Sequence, residues 1–371
     1  MKRNSQKVGM LALGLLVFAL PVAASAATVT RQPGPFPVGM DTWYGSVYNT
    51  TSQHDGKMQV GGWGDEYDSL ARFDLSGLPL TATQAVIWLN AYPRGDGSTP
   101  TEIKWYQNTS QWHTGSVSWS TQPSGTYLGW TSAPGTGWYG VNITTQYNQW
   151  RSGNTATPNF GLTLKPYFNN NRFDMFRGSG YGTASERPYI SVTYNTSGTD
   201  SIPKWKWPLA SPSYASRTVT QAFGVNWAGG STCNGLIKKH NGTDFSASAG
   251  TTIYAAEDGI VKESIFDPSW GYNIVMEHTS PTGSKYTSTY WHVSPNSDVI
   301  ASNPGGFIPK AAPMGTIYNL GGNTHFHLAA RMTAYSSPDS GSGASPQTNC
   351  GGYLAFPASF VDVNNTSNIV F

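Results

Sequence analysis

Four histidines and one aspartate with the chemistry of a hydrolytic centre fall in three short motifs: His240-Asn-Gly-Thr-Asp244, Tyr290-Trp-His292 and His325-Phe-His327. The chain has only seven histidines in all. A catalytic zinc ion takes three protein ligands and leaves its fourth position to water. Binding lowers the pKa of that water to about 7, which supplies a hydroxide nucleophile at neutral pH. The three motifs offer enough side chains for such a ligand set and for spare imidazoles beside it.

Strands and a turn must position these groups. Thr324 to Met332 alternates like a strand, with His325, His327, Ala329 and Arg331 on one face and Phe326, Leu328, Ala330 and Met332 on the other. Two imidazoles at i and i+2 then project into the same space. Tyr286, Ser288, Tyr290 and His292 are expected to line one face of a second strand. His240 to Asp244 spans a glycine-containing turn that lets two groups from one loop converge. The absence of a His-Glu-x-x-His motif excludes a helix-borne zinc site.

In these motifs the chain resembles the lysostaphin-type zinc metallopeptidases, which hydrolyse peptide bonds of bacterial cell walls on a mainly antiparallel β fold. The resemblance implies one zinc per chain held by His240, Asp244 and His327, with His292 and His325 as catalytic imidazoles and peptidoglycan peptides as substrate. Trp207-Pro-Leu209 and Gln221-Ala-Phe-Gly224 look like the start of such a domain. Gly250 to Ala256 with Gly259-Ile-Val261 looks like its next strand pair. The likeness covers about Trp205 to Met332. The chain departs from the family in reading Asn323-Thr-His-Phe-His-Leu328 for Gly-Pro-His-Leu-His-Phe, and Val293 for the usual Leu. These neighbours bear on substrate preference more than on metal binding.

The first 26 residues read as a secretory signal peptide: Lys2, Arg3 and Lys7, an apolar run from Val8 to Leu20, and the small-residue site Ala24-Ser-Ala26. The apolar run is too short for a membrane anchor, so the chain is expected in the periplasm or outside the cell. Without the leader's basic residues the 20 acidic groups slightly outnumber the basic ones, which argues against nucleic acid as a partner. Charged residues are 11% of the chain, well below the usual ~25%. Cys233 and Cys350, the only two cysteines, are expected to form one disulfide in an exported protein. A second reading makes Cys233, shortly before His240, a thiolate ligand or a latency switch.

The length suits two domains: a β-sandwich over 38–194, a polar linker at 195–204 and a β-sheet domain over 205–371. The fold class is all-β (mainly β), since short alternating runs such as Gln84–Tyr92 and Arg187–Tyr194 recur between turn residues. One short helix is expected near Thr144 to Trp150. The first half resembles DNRLRE-type β-sandwich modules through Ser69 to Pro79, Ser116-Val-Ser-Trp119, Val141 to Thr144 and Arg187-Pro-Tyr189. Most of the 14 tryptophans lie in that half, where flat rings suit either a core or a sugar face. Trp88 and Trp105 are expected in the core, whereas both readings stay open between Trp112 and Trp138. His54 and His113 are expected at the surface, and His278 in a structural role.

The leading expectation is an exported zinc endopeptidase whose self-contained sandwich attaches it to a glycan. Two rivals remain: a catalytically silent wall-binding or regulatory protein of the same fold, and a secreted zinc protease acting on glycine-rich proteins with the N-terminal domain as a pro-segment.

Overall fold

A computed structural model describes residues 26–34, 40–93, 99–196, 202–227, 232–302, 305–336, 344–345 and 354–371. Residues 1–25 of the expected signal peptide and Cys350 lie outside them. The regular structure of the described residues is mainly β, with an α-helix of two turns, Thr144–Arg151, where it was expected, and a shorter one, Ser297–Ala301.

In the first half eleven strands form one antiparallel sheet. Ile190 and Val192, near one end of the strand order, share a core with Trp105 and Leu164 near the other, so the sheet wraps around a single interior. Tyr147 and Trp150 on the helix plug that core. The sheet begins earlier than expected, because Ala26–Arg31 pairs with Ile190 to Asn195. Trp105 is 4% exposed, as expected for a core residue. Trp88 instead stands on the outer face against Tyr189, its indole donating to Ser191 Oγ at 3.0 Å. Between Trp112 and Trp138, where both tryptophan readings stayed open, lie the strand Gly125–Thr131 and the start of Gly137–Asn142.

The second half is a ten-stranded antiparallel sheet. Its centre is the strand Lys285–Pro295, flanked by Phe326–Arg331 and Gly271–Thr279. Alternation explains the packing: Phe326, Leu328 and Ala330 join Tyr286 and Tyr290 in the core, leaving the other face of both strands to polar groups. His278 is fully buried in Gly271–Thr279, with Nδ1 on Asp258 O at 2.7 Å and Nε2 on Ser288 Oγ at 2.7 Å. Its role is structural.

Buried polar contacts join the halves. Arg151 Nη1 of the helix meets Glu257 Oε1 at 2.6 Å, and Lys310 Nζ lies 3.7 Å from Glu257 Oε2. Asp258 accepts the backbone N–H of Leu75 at 3.0 Å and of Lys310 at 2.6 Å. Arg72 reaches across with its guanidinium 4.6 Å from the ring centres of both Trp112 and Phe307. Gly77 must be glycine here: its φ is +70°, and a Cβ would stand 2.3 Å from Ser280 O. His113, expected at the free surface, sits in this seam, 3.4 Å from Ser302 Oγ. Phe160 of the first half is counted in the core of the second.

Candidate active site

His240, Asp244 and His327 converge although two neighbouring strands and a turn supply them. Asp244 and His327 are direct cross-strand partners in the pairing of Thr243–Phe245 with Phe326–Arg331. His240 reaches the same point from the strand Lys239–His240, across Asn241 and Gly242. The turn needs its glycine, because a Cβ on Gly242 would lie 2.6 Å from both His327 Nε2 and Leu328 O. All three side chains are buried.

The ligand atoms form a small triangle. His240 Nε2 is 3.1 Å from Asp244 Oδ1, His327 Nδ1 is 2.9 Å from the same oxygen, and the two nitrogens are 3.0 Å apart. Atoms bound about 2.1 Å from a tetrahedral ion sit roughly 3.4 Å from one another, so the triangle needs only slight opening to hold one. The protons point the same way. His240 Nδ1 faces the Ala222 carbonyl at 3.0 Å, and a carbonyl can only accept. Neutral His240 therefore offers a lone pair at Nε2. His327 Nδ1 then faces two acceptors, and one proton can serve only one of them. A dication satisfies all three atoms, and the donor set fits one. Among the described residues this is the one His/Cys/Asp/Glu cluster with such a geometry. Cys233 is not part of it; it is buried and not a free thiol.

Burial alone would raise the Asp244 carboxyl, but its contacts with His240 and His327 outweigh burial and hold it well below the usual carboxylate range. Burial also keeps the His327 imidazole below its ordinary value, despite Asp244. The carboxylate is thus charged and the imidazole neutral, as metal ligands must be.

His292 and His325 stand beside the triangle with ring centres 4.5 Å apart. His292 Nδ1 donates to Trp270 O at 2.9 Å and His325 Nδ1 to Asn323 O at 2.7 Å. Each neutral ring therefore keeps an unprotonated Nε2, and that of His325 lies 3.5 Å from Asp244 Oδ2. Burial pushes His292 down to about 3, which keeps it neutral.

His292 arrives by a route that alternation does not give. On a regular strand it would follow Tyr290 into the core. Instead Tyr290 and Val293 both face the core, because His292 is an extra residue, a bulge at φ +64° where Tyr272 pairs with Val293 but Asn273 with Trp291. The bulge turns the imidazole onto the site face, where it stacks on Trp291 at 4.3 Å. The structure brings together the five side chains named from the sequence, and Gly242 lies in the glycine turn expected there. The sequence reading missed the carbonyls that hold the rings, Ala222 O, Trp270 O and Asn323 O; Ala222 and Asn323 lay in quoted motifs and Trp270 in none.

Residues 238–338, which carry all five side chains, match the model of peptidase family M23. The chain carries an M23 peptidase domain. Residues 40–171 match carbohydrate-binding module family 96. Over 52 residues the chain is 40% identical to peptidoglycan DD-endopeptidase ShyC of Vibrio cholerae, a span of 14% of this chain and 12% of that protein. Among solved structures, the catalytic domain of lysostaphin from Staphylococcus simulans is similar at 20% identity and a TM-score of 0.26, over 35% of this chain and 88% of that one. A zinc-containing peptidase from Vibrio cholerae is similar at 20% identity and a TM-score of 0.28, over 46% and 51%. In the M23 domain the triangle of His240, Asp244 and His327 lies beside the two pinned imidazoles of His292 and His325.

Proposed function

We propose that this chain is an exported zinc metalloendopeptidase that cleaves peptide bonds of bacterial cell-wall peptidoglycan, acting in the periplasm or outside the cell after loss of its leader. The observation that carries the reading is the triangle of His240, Asp244 and His327, flanked by two imidazoles whose Nδ1 atoms each face a backbone carbonyl. Zinc held there would polarise the scissile carbonyl and supply an activated water. The remaining work belongs to the chain. Asp244 holds a negative charge in a buried site and is gripped from two sides. His292 and His325 each present a lone pair where a proton leaves the attacking water, and each can return that proton to the departing amine. Once protonated, either ring can donate to the oxyanion that forms on the carbonyl. The fixed Nδ1–H bonds keep both rings in the tautomer that this requires.

The sandwich supplies attachment to glycan in this reading. Trp130 (58% exposed), Tyr127 (50%) and Phe168 (50%) present open rings on its surface. Trp130 and Tyr167 are 6.0 Å apart and Tyr167 and Phe168 4.9 Å apart, which makes a strip on which sugar faces can stack. Lys104 stands over Tyr167 at 5.1 Å. Cys233 and Cys350 are joined in a single disulfide in the mature protein. No helix among the described residues is long and apolar enough to cross a membrane.

Purified sacculi digested with the secreted protein should yield new amino termini identifiable by mass spectrometry, and Asp244→Ala should lose zinc and activity together. Sacculi left intact by a zinc-loaded wild-type protein would favour the catalytically silent rival. Loss of the sandwich from the secreted protein, seen by intact mass, would favour the pro-segment reading.

A further inference from the structure

The strained bulge at His292 needs a support, and the neighbouring hairpin supplies one. The tip of the hairpin between Gly259–Asp267 and Gly271–Thr279 carries Trp270, whose carbonyl accepts from His292 Nδ1 at 2.9 Å. Tyr318 holds both partners of that bond. Its backbone N–H donates to His292 O at 2.8 Å, and its phenol donates to Pro268 O at 3.1 Å in the hairpin tip. Its ring underlies Gly271, which has φ +75° and whose Cβ would stand 2.7 Å from Tyr318 Cγ. The Trp270 ring closes the assembly, 5.8 Å from His292 and 6.0 Å from Trp291.

We infer that Tyr318 is a positioning residue for His292: by anchoring the 267–271 hairpin tip it holds the Trp270 carbonyl against Nδ1 and so keeps Nε2 free for the reaction. A left-handed backbone on a non-glycine residue persists only where its surroundings over-determine it. Here the imidazole and the carbonyl of the same residue are tied to one side chain's environment from opposite ends. When the phenol bond is removed, the tip relaxes, Trp270 O moves off Nδ1, and the proton is free to settle on Nε2. The ring then points a donor at the water it should deprotonate. Tyr318 is not one of the three ligand residues, so metal retention should not depend on it.

This inference rests on the catalytic role given to His292 above, and its test reads tautomer and turnover separately. In the zinc-loaded full chain with 15N-labelled histidine, the wild type should show His292 as the Nδ1–H tautomer alone. Tyr318→Phe should show a mixture with Nε2–H, and kcat on purified peptidoglycan should fall about tenfold, while KM, zinc content and melting temperature stay near wild type. Gly271→Ala, which pushes the tip off the ring, should move tautomer and kcat the same way and further. A Tyr318→Phe protein with a single Nδ1–H tautomer and unchanged kcat would overturn the assignment. So would one that loses zinc and activity in parallel. If the wild type releases nothing from peptidoglycan, the proposed activity falls, and the tautomer comparison alone decides the role of Tyr318.

Discussion

The five side chains of the proposed site depend on single atoms beside them that have no reactivity of their own. Gly242 is the plainest case, since its missing side chain is the space that the far edge of His327 occupies. Gly242→Ala should weaken zinc retention by about 10–100-fold, the usual cost of disturbing the support of a ligand. Competition with a chelator measures this directly, and wild-type retention would mean that the turn gives way easily. His292→Ala and His325→Ala should each keep full zinc by elemental analysis and lose at least the ~10²-fold in kcat typical of removed acid–base help. Residue types and spacing made this set legible, because few other arrangements use His-x-x-x-Asp, a lone His and His-x-His together. The carbonyls of Ala222, Trp270 and Asn323 were not legible, since every residue has a carbonyl and only the fold selects which one faces a ring.

At the scale of elements, the strand Phe326–Arg331 follows its alternation, so His327 and the core residues Phe326 and Leu328 fall where the pattern puts them. The strand Lys285–Pro295 does not, because one inserted residue reverses the faces after Tyr290, and a bulge leaves no mark in composition. The hydrogen-bonded His278, on the strand Gly271–Thr279 that pairs with Lys285–Pro295, gives the sheet a pH dependence. Burial keeps its imidazole below the ordinary value. The unfolded chain therefore takes up a proton below about pH 6.5 that the folded one refuses, and stability is lost as pH falls through that value. Unfolding free energy should drop by up to about 1.4 kcal/mol per pH unit for such a group. His278→Gln should lower the melting temperature at pH 7.5 and flatten the slope between pH 7 and 5. An unchanged slope would remove His278 from the response.

At the scale of the molecule, a polar linker at 195–204 led us to expect two self-contained domains, yet the halves share a buried seam. The linker's composition could not reveal this, because the seam is built from residues far apart in sequence, such as Arg151 and Glu257. Both side chains are at most 3% exposed, so removing one partner strands a buried charge, which costs about 3–5 kcal/mol. Arg151→Met should destabilise the whole chain by that order in denaturant titration. Cutting away the sandwich should destabilise the peptidase domain as well, because Glu257, Asp258 and Phe307 all lose partners. A truncated domain that melts at the wild-type temperature would show that the seam contributes nothing.

The seam also bears on where the enzyme can cut. A module on a slack tether lets its enzyme sweep a sphere of targets, limited only by the length of the leash. A module fixed through Arg72, Arg151 and Asp258 allows no such sweep. With the aromatic strip seated on a sugar chain as proposed, the triangle of His240, Asp244 and His327 would sit at one distance and one heading from that chain. The enzyme would then work like a caliper on a layered lattice, opening those bridges that stand at its set span and passing over chemically identical ones at other heights.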